Sequence, residues 1–240
     1  MSTDHKSARV LLWDVDGTIL RSTTATTFTE YTRPVLEAVF GTAGRIDDVP
    51  LTGMTDLQFI AEALSPEGFS RAQISESIQE VSNRYLCEIE RAISSGAEFH
   101  VLPGVREALE VVSTNPRYHS ALLTGNFEST AQYKVNLADL SDYFDVPGAF
   151  GDQSFDRGEL PQLAARCINS HLQIELQPSQ FIVIGDTPDD IACARHFGAR
   201  SIGVATGHSY TIDDLRACEP DAVLPDLSDT DHFMSTLERL

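Results

Sequence analysis

Two aspartates stand two positions apart at the end of an apolar run, LLWDVDGTIL, residues 11–20. Side chains two apart in a strand face the same way, although Gly17 and Thr18 indicate a turn that redirects Asp16. A buried carboxylate costs several kcal/mol unless it is paired, and two like charges this close need a cation or a shared proton. Asp14 and Asp16 therefore predict a divalent cation, and Mg²⁺ prefers such oxygen ligands.

A hydroxyl and an amide follow a second apolar run in SALLTGN, residues 120–126. Thr124 ends the predicted strand, and Gly125 and Asn126 open a predicted helix. A hydroxyl beside free backbone N–H groups at a helix N-terminus suits an anion. The alternative is that Asn126 only caps the helix.

Further acidic residues lie in FIVIGDTPDDIACARHFGA, residues 181–199. Asp186 ends the apolar run, whereas Asp189 and Asp190 stand in the first turn of a helix that is predicted to begin near Pro188. Acidic residues at a helix start commonly only complement the helix dipole. That alternative applies more to Asp189 than to Asp186, which is a candidate metal ligand.

Five short apolar runs, separated mostly by helical patterns, indicate the strands that position these groups. Runs that are apolar on both faces are typical of parallel strands covered by helices on each side. The predicted fold class is therefore α/β, a doubly wound parallel sheet. Ligands bind outside the carboxyl ends of such strands, so we expect Asp14, Thr124 and Asp186 to converge there. The predicted strands lie in residues 10–14, 120–125, 181–186, 201–207 and 221–226.

The block between the first two of these strands has a different pattern. Residues 21–100 contain the helical patterns EYTRPVLEAVF, TDLQFIAEAL and SRAQISESIQEVSNRYLCEIERAI, and no convincing strand. A block of about 80 residues is too long for an ordinary crossover. We therefore predict an inserted all-helical cap domain over 21–100, on a core formed by residues 1–20 and 101–240. Its predicted exits are the polar RSTTATT segment and the turn LPGV.

The motifs DVDGT, LLTGN and GDTPDD, in this order and spacing, resemble those of the haloacid dehalogenase superfamily of phosphohydrolases. The resemblance spans the whole chain and is to the phosphoglycolate phosphatase-like members, which carry an inserted helical cap on a Rossmann-like core. It implies that Asp14 is the nucleophile and forms an aspartyl-phosphate. It also implies that Asp16 is the general acid for the leaving oxygen and then the base for the hydrolytic water.

The same resemblance implies a Mg²⁺ site and a phosphate site. The metal would be held by the Asp14 carboxylate, the Asp16 backbone carbonyl and Asp186, with Asp190 binding directly or through water. The residues implied to bind the phosphoryl oxygens are Thr124 and, through nearby backbone amides, Gly125 and Asn126.

The family usually places one lysine between the second and third motifs, in a Lys-Pro loop. Here that loop reads GDQSFDRGELP, with Arg157 near the expected place, and the chain has only two lysines. One of them, Lys134, falls inside the apolar stripe of its predicted helix, where it needs a carboxylate partner. We expect Lys134 to reach Asp14 or Asp186, with Arg157 assisting or replacing it. The alternative is that Lys134 extends to solvent or pairs with Asp139.

These features predict a Mg²⁺-dependent phosphomonoester hydrolase acting on a small phosphorylated metabolite such as a sugar phosphate, phosphoglycolate or a nucleotide. Halide-displacing relatives lack the second aspartate, so Asp16 favours phosphoryl transfer. Residues 18–100 contain no lysine, which gives no support for cap-lysine chemistry. The alternatives are a phosphomutase with different cap chemistry and a non-catalytic binding protein on this fold. PLTGMTDLQFI resembles a substrate-specificity loop, and Arg33 and Arg45 are either substrate contacts or surface residues.

The net charge of −19 disfavours nucleic acids and anionic membranes as partners. Four scattered cysteines without a CxxC pair predict reduced thiols rather than a zinc site. The absence of a long apolar run or a signal-peptide pattern predicts a cytoplasmic protein without a membrane span. The oligomeric state is open, with a monomer slightly favoured.

Overall fold

The computed structural model of the chain describes residues 8–22, 28–50 and 53–240. Most of the N-terminal MSTDHKSAR segment and parts of the RSTTATT exit and the PLTGMTDLQFI loop lie outside these residues. The described strands are β1 Arg9–Trp13, β2 Leu20–Ser22, β3 Phe99–Val101, β4 Tyr118–Leu122, β5 Phe181–Gly185, β6 Arg200–Val204 and β7 Ala222–Leu224. The described helices are α1 Phe28–Phe40, α2 Asp56–Leu64, α3 Arg71–Glu76, α4 Ile78–Ser94, α5 Val105–Ser113, α6 Glu128–Leu137, α7 Leu160–Leu172, α8 Pro188–Phe197, α9 Ile212–Ala217 and α10 Thr230–Arg239.

A parallel sheet with the strand order β4-β1-β5-β6-β7 forms the centre of the fold. Side chains alternate between its two faces: Leu11 and Trp13 of β1 join a core with α5 and α10, whereas Val10 and Leu12 join a second core with α7 and α8. The predicted doubly wound α/β sheet is confirmed. Every strand of this sheet ends one to three residues before its predicted end, so the polar groups lie just beyond the strands.

The expectation of an insert without strands is wrong at both of its ends. β2 and β3 pair antiparallel, with Leu20 opposite Val101, so the chain leaves and re-enters the core through a two-stranded sheet. Three-residue strands offer too few positions to show an alternating pattern in a sequence. The predicted boundaries of the insert, residues 21–100, stay a prediction.

The helices of the insert pack around a third core, which also receives Phe127 from the start of α6. The hydroxyl of Thr55 caps α2 by accepting a hydrogen bond from the backbone N–H of Gln58 at 3.0 Å. The long helical pattern SRAQISESIQEVSNRYLCEIERAI forms two helices, α3 and α4, which are divided at Ser77. None of the helices described here combines the length and the apolar character that crossing a membrane requires.

Candidate active site

The carboxyl ends of three neighbouring strands meet at one cavity of about 410 Å³. Asp14 directly follows β1, Thr124 lies two residues after β4, and Asp186 directly follows β5. All three line this cavity, so the predicted convergence is confirmed. The helices α2 and α4 of the insert form the opposite wall with Phe59 and Tyr85.

Three buried carboxylates, those of Asp14, Asp186 and Asp190, form a cluster whose ligand oxygens all lie within 4.8 Å of one another. The hydroxyl of Thr18 donates to Asp186 Oδ1 at 3.1 Å. Gly17 allows the chain to pass beside this carboxylate, since a Cβ there would lie 2.4 Å from Asp186 Oδ2 and the residue has a φ of +91°. The turn after Asp16 therefore needs glycine for close approach as well as for its backbone conformation.

The negative charge of this cluster exceeds the positive charge beside it. Burial, followed by the carboxylate of Asp190, raises the pKa of Asp14 well above its usual value. The same two causes raise the pKa of Asp186 to about 7. Arg157 supplies a single positive charge against three carboxylates. Oxygen donors at this spacing, with charge left to neutralise, fit a divalent cation, so the predicted ligands Asp14, Asp186 and Asp190 could hold one.

Arg157 provides the cation beside Asp14. It lies in a single helical turn just before α7, is buried, and donates from Nη2 to Asp14 Oδ1 at 3.0 Å and to Asp190 Oδ1. Burial lowers the pKa of the guanidinium, but Asp190 and Asp14 outweigh that effect and raise it well above the usual value. Arg157 therefore stays charged and pairs two of the clustered carboxylates.

Asp190 has a structural task as well as its place in the cluster. Its Oδ2 accepts hydrogen bonds from the backbone N–H of Thr187 at 3.0 Å and from the Thr187 hydroxyl at 2.7 Å. This capping box begins α8. The helix-start role and the cluster role are thus combined in one side chain.

Asp16 lies apart from the cluster and belongs to a second polar group. Its side chain is 43% exposed, and Oδ2 accepts from Lys134 Nζ at 2.6 Å and from Asn126 Nδ2 at 2.8 Å. Lys134 Nζ also donates to Asn126 Oδ1 at 2.9 Å, and Asn126 Nδ2 donates to Thr124 Oγ1 at 2.8 Å. The predicted redirection of Asp16 away from Asp14 is thereby confirmed.

The expected partner of Lys134 was wrong. Lys134 is buried, as predicted, but it pairs with Asp16 rather than with Asp14 or Asp186, and the alternatives of solvent or Asp139 are also wrong. The reason is the path of α6, which starts after β4 and presents its second turn to the Asp16 side of the cavity. The loop before α7 approaches from the other side, so Arg157 takes the place at Asp14.

The predicted phosphate-binding segment is only partly free to receive an anion. The helix begins at Glu128 rather than at Gly125, and the buried backbone N–H of Phe127, the residue before it, donates to Asp56 Oδ2 at 3.0 Å. The amide of Asn126 lies 3.3 Å from the Thr124 hydroxyl. The role of Gly125 and Asn126 in phosphate binding stays a prediction.

Asp56 is a site residue that the sequence interpretation missed. It lies in the first turn of α2, is buried, and lines the cavity. Burial raises its pKa to about 7, although the hydrogen bond from the Phe127 backbone opposes the increase. Its sequence context, TDLQ after a turn, is that of an ordinary helix start, so only the fold shows its place in the wall.

The two candidate arginines of the insert do not line this cavity. Arg33 is exposed and pairs with Asp47 at 2.6 Å, and Arg45 is exposed as well. Their interpretation as surface residues is therefore confirmed. The four cysteines, Cys87, Cys167, Cys193 and Cys218, are all free thiols, as predicted.

Known proteins resemble this chain along most of its length. A family described as haloacid dehalogenase-like hydrolase matches residues 11–195, and a family described as HAD-hydrolase-like matches residues 161–230. Two proteins named phosphoglycolate phosphatase, from Vibrio vulnificus strains YJ016 and CMCP6, are each 24% identical over 93% of this chain and 95% of their own.

Solved structures share the fold. The β-phosphoglucomutase of Clostridium difficile superposes with a TM-score of 0.67 at 18% identity, covering 97% of this chain and 98% of its own. CbbY from Rhodobacter sphaeroides, solved in complex with phosphate, superposes with a TM-score of 0.61 at 18% identity, covering 92% of this chain and 96% of its own. Together with the first family match, which covers more than half of the sequence, these likenesses confirm the predicted family and fold. The chain therefore belongs to the haloacid dehalogenase-like hydrolase family.

Proposed function

We propose that this protein is a Mg²⁺-dependent phosphomonoester hydrolase that works through an aspartyl-phosphate on Asp14. The observation that carries the proposal is the placement of Asp14 beside two further carboxylates and a buried arginine, with Asp16 lining the same cavity. The names of the two relatives from Vibrio vulnificus, both phosphoglycolate phosphatases, support the same reaction class.

The reaction proceeds in two displacements. In the first, a carboxylate oxygen of Asp14 attacks phosphorus, the bond to the ester oxygen breaks, and Asp16 gives its proton to that oxygen, which leaves as an alcohol. In the second, Asp16 takes a proton from water, whose oxygen attacks phosphorus and releases the Asp14 carboxylate and inorganic phosphate. Each residue returns to its starting state.

Asp14, Asp186 and Asp190 would hold Mg²⁺, with the Asp16 backbone carbonyl as the further ligand that the family implies. When bound, the metal supplies positive charge that offsets these carboxylates and the phosphoryl oxygens. Arg157 opposes the rise in the pKa of Asp14 and orients its carboxylate. A group of three residues, Thr124, Gly125 and Asn126, binds the phosphoryl oxygens.

Lys134 acts on Asp16, the residue that transfers the proton in this proposal. Its ammonium and the Asn126 amide both bind Asp16 Oδ2, so two tethers set the direction of the carboxyl group. We assign Lys134 as a positioning residue for Asp16, in place of the expected contact with the nucleophile. A cytoplasmic location and a monomeric state remain further parts of this proposal.

The decisive experiment follows phosphate release from a generic aryl phosphate. We expect release with Mg²⁺, its loss with EDTA, and its recovery when Mg²⁺ is added back. Asp14→Asn should reduce release by at least about 10³-fold, since no nucleophile remains. Asp213→Asn is a matched control, because that exposed carboxylate pairs with Arg216 at the surface.

The alternative functions give different products. A phosphomutase would convert a sugar phosphate into its isomer with little free phosphate, and a binding protein would release none from any monoester. Metal-independent release, or full activity in Asp14→Asn, would contradict the proposed mechanism.

A further inference from the structure

The cavity has a catalytic end and an apolar wall that faces it. Phe59 of α2, Tyr85 and Ile89 of α4, and Phe99 of β3 line this wall. Phe59, Tyr85 and Ile89 are nearly fully buried, so their positions are set by packing before a substrate arrives. A cavity of about 410 Å³ lies within the range that holds ring-containing ligands.

The aromatic side chains of the wall are held in place by the insert and the core. The Tyr85 ring packs edge-on against Phe127 with 5.3 Å between ring centroids. Its hydroxyl is hydrogen-bonded to Thr32. Tyr85 therefore offers the cavity mainly its ring. Phe99 adds a second ring, 5.6 Å from Lys134 Nζ, next to the polar group around Asp16.

The described basic residues on the helices of the insert lie elsewhere. Exposed ion pairs on the outer surface are formed by Arg33, Arg84 and Arg91. Arg71 stacks over the ring of Phe155 in the core. The segments of the insert that the structure leaves undescribed, 23–27 and 51–52, contain no lysine, arginine or histidine. The described helices of the insert thus present no cation to the cavity for a second negative group of the substrate, and Arg21 of β2 is the basic residue of the insert that lines it.

The two basic residues nearest the catalytic aspartates are paired with carboxylates of the core. Lys134 and Arg157 bind the carboxylates of Asp16 and Asp14. Arg21 of β2 donates from Nη2 to the carbonyl oxygen of Thr206, and its Nε is buried without a hydrogen-bond partner among the described residues. His208 also lines the cavity, where it is exposed at the rim.

The wall of the cavity also contains an acidic side chain. Asp56 lies in the same wall, and its buried carboxyl group has a pKa raised by burial to about 7. At and above neutral pH it is at least half ionised. A negatively charged leaving group would therefore meet a like charge in a low-dielectric site.

We propose that the substrates are phosphomonoesters whose leaving group is an uncharged alcohol carrying an aromatic or similarly flat ring. Esters with a second negative charge in the leaving group, such as phosphoglycolate, are then poor substrates despite the names of the relatives. The inference rests on the proposed hydrolase function and goes beyond it by naming the leaving group.

A matched pair of substrates tests the charge. The phosphate esters of 4-carbamoylphenol and 4-carboxyphenol have nearly the same shape and differ by one negative charge. We expect kcat/KM at pH 8 to be at least about tenfold higher for the carbamoyl ester. Equal values, a preference for the carboxylate, or phosphoglycolate as the best substrate would overturn the inference.

A second pair tests the ring. Benzyl phosphate and ethyl phosphate both release uncharged alkyl alcohols, and we expect at least about a tenfold preference for the benzyl ester. No preference would contradict a ring-binding wall. If none of these esters is hydrolysed with Mg²⁺, the proposed function itself fails, which is a different result from hydrolysis with the opposite preference.

The variant Asp56→Asn tests whether Asp56 causes the discrimination against the carboxyl ester. The variant removes the charge and keeps an oxygen that can accept from the Phe127 backbone. We expect the ratio between the carbamoyl and carboxyl esters to fall by several-fold, whereas Asp47→Asn, an exposed change in the same insert, should leave the ratio unchanged. If Asp56→Asn does not fold, the comparison of the two esters on the unaltered protein still decides the proposal.

Discussion

Replacing Lys134 by methionine removes the ammonium that binds Asp16 and keeps a flexible side chain of similar length in the buried space. Lys134 Nζ lies 2.6 Å from Asp16 Oδ2 and 2.9 Å from Asn126 Oδ1, and its side chain is only 10% exposed. Without it, Asp16 keeps the tether from Asn126 Nδ2. We expect the carboxyl group to lose its fixed direction toward the leaving oxygen.

The magnitude follows from the contact that is lost. A hydrogen bond to a charged group contributes about 1.5–3 kcal/mol, which corresponds to about 10- to 150-fold in rate. This loss applies in full only to alkyl esters, whose leaving oxygen needs a proton as the bond breaks. Esters of acidic phenols depart without that proton, so Lys134→Met should cost them less than about fivefold.

The assay is kcat/KM for nitrophenyl, phenyl and benzyl phosphates, because this constant covers the step in which Asp14 is phosphorylated. In the variant, kcat/KM should fall more steeply with the basicity of the leaving group than it does in the unaltered protein. Lys134→Arg should restore most of the shallow dependence. Gln132→Met, an exposed change on the same helix, should leave it unaltered. A uniform loss across the three esters would refute a role of Lys134 through Asp16.

Three further predictions concern the cluster and the wall. Arg157→Met should lower the unfolding free energy of the metal-free protein by about 3–5 kcal/mol, because it leaves buried Asp14 without its cation; denaturant unfolding measures this, and an unchanged midpoint would contradict it. Burial raises the pKa of Asp56 to about 7 from 3.8, so the folded state holds a proton that the unfolded chain releases, and stability should fall as pH rises from about 4 to about 7. In Asp56→Asn we expect this loss of stability with rising pH to be smaller by roughly 4 kcal/mol at most. Unfolding curves measured across that pH range test this expectation. Gly17→Ala should weaken Mg²⁺ binding, since its Cβ would lie 2.4 Å from Asp186 Oδ2; Mg²⁺-dependent shifts in Tm report it, and a wild-type shift would contradict it.

The strand ends of the site were predictable because they depend on a rule that acts at short range. An apolar run followed by a polar residue marks a strand end, and parallel strands bring their carboxyl ends to one edge. Asp14, Thr124 and Asp186 are therefore found together although they are far apart in the sequence. The same rule required no knowledge of how the helices pack.

The pairing of cations with aspartates was not predictable in this way. The burial of Lys134 follows from its place in the apolar stripe of α6, but its partner depends on the direction in which that helix crosses the sheet. Asp56 was missed for a similar reason, since a helix-start aspartate looks the same whether it faces solvent or a cavity. The strands β2 and β3 were missed because three residues carry no periodicity.

Lys134 and Arg157 bind different aspartates, and the reach of the guanidinium accounts for an arginine beside Asp14. Arg157 places Nη2 on Asp14 and Asp190. Its Nη1 lies toward Gly125, where an added Cβ would be 3.1 Å away from it. One guanidinium thus reaches both Asp14 and the predicted phosphate-binding segment, which the single nitrogen of a lysine cannot do, and it stays charged when buried. With Arg157 paired to Asp14, the lysine on α6 is available to Asp16. The two aspartates of DVDGT therefore have separate cations, delivered from separate elements of the fold.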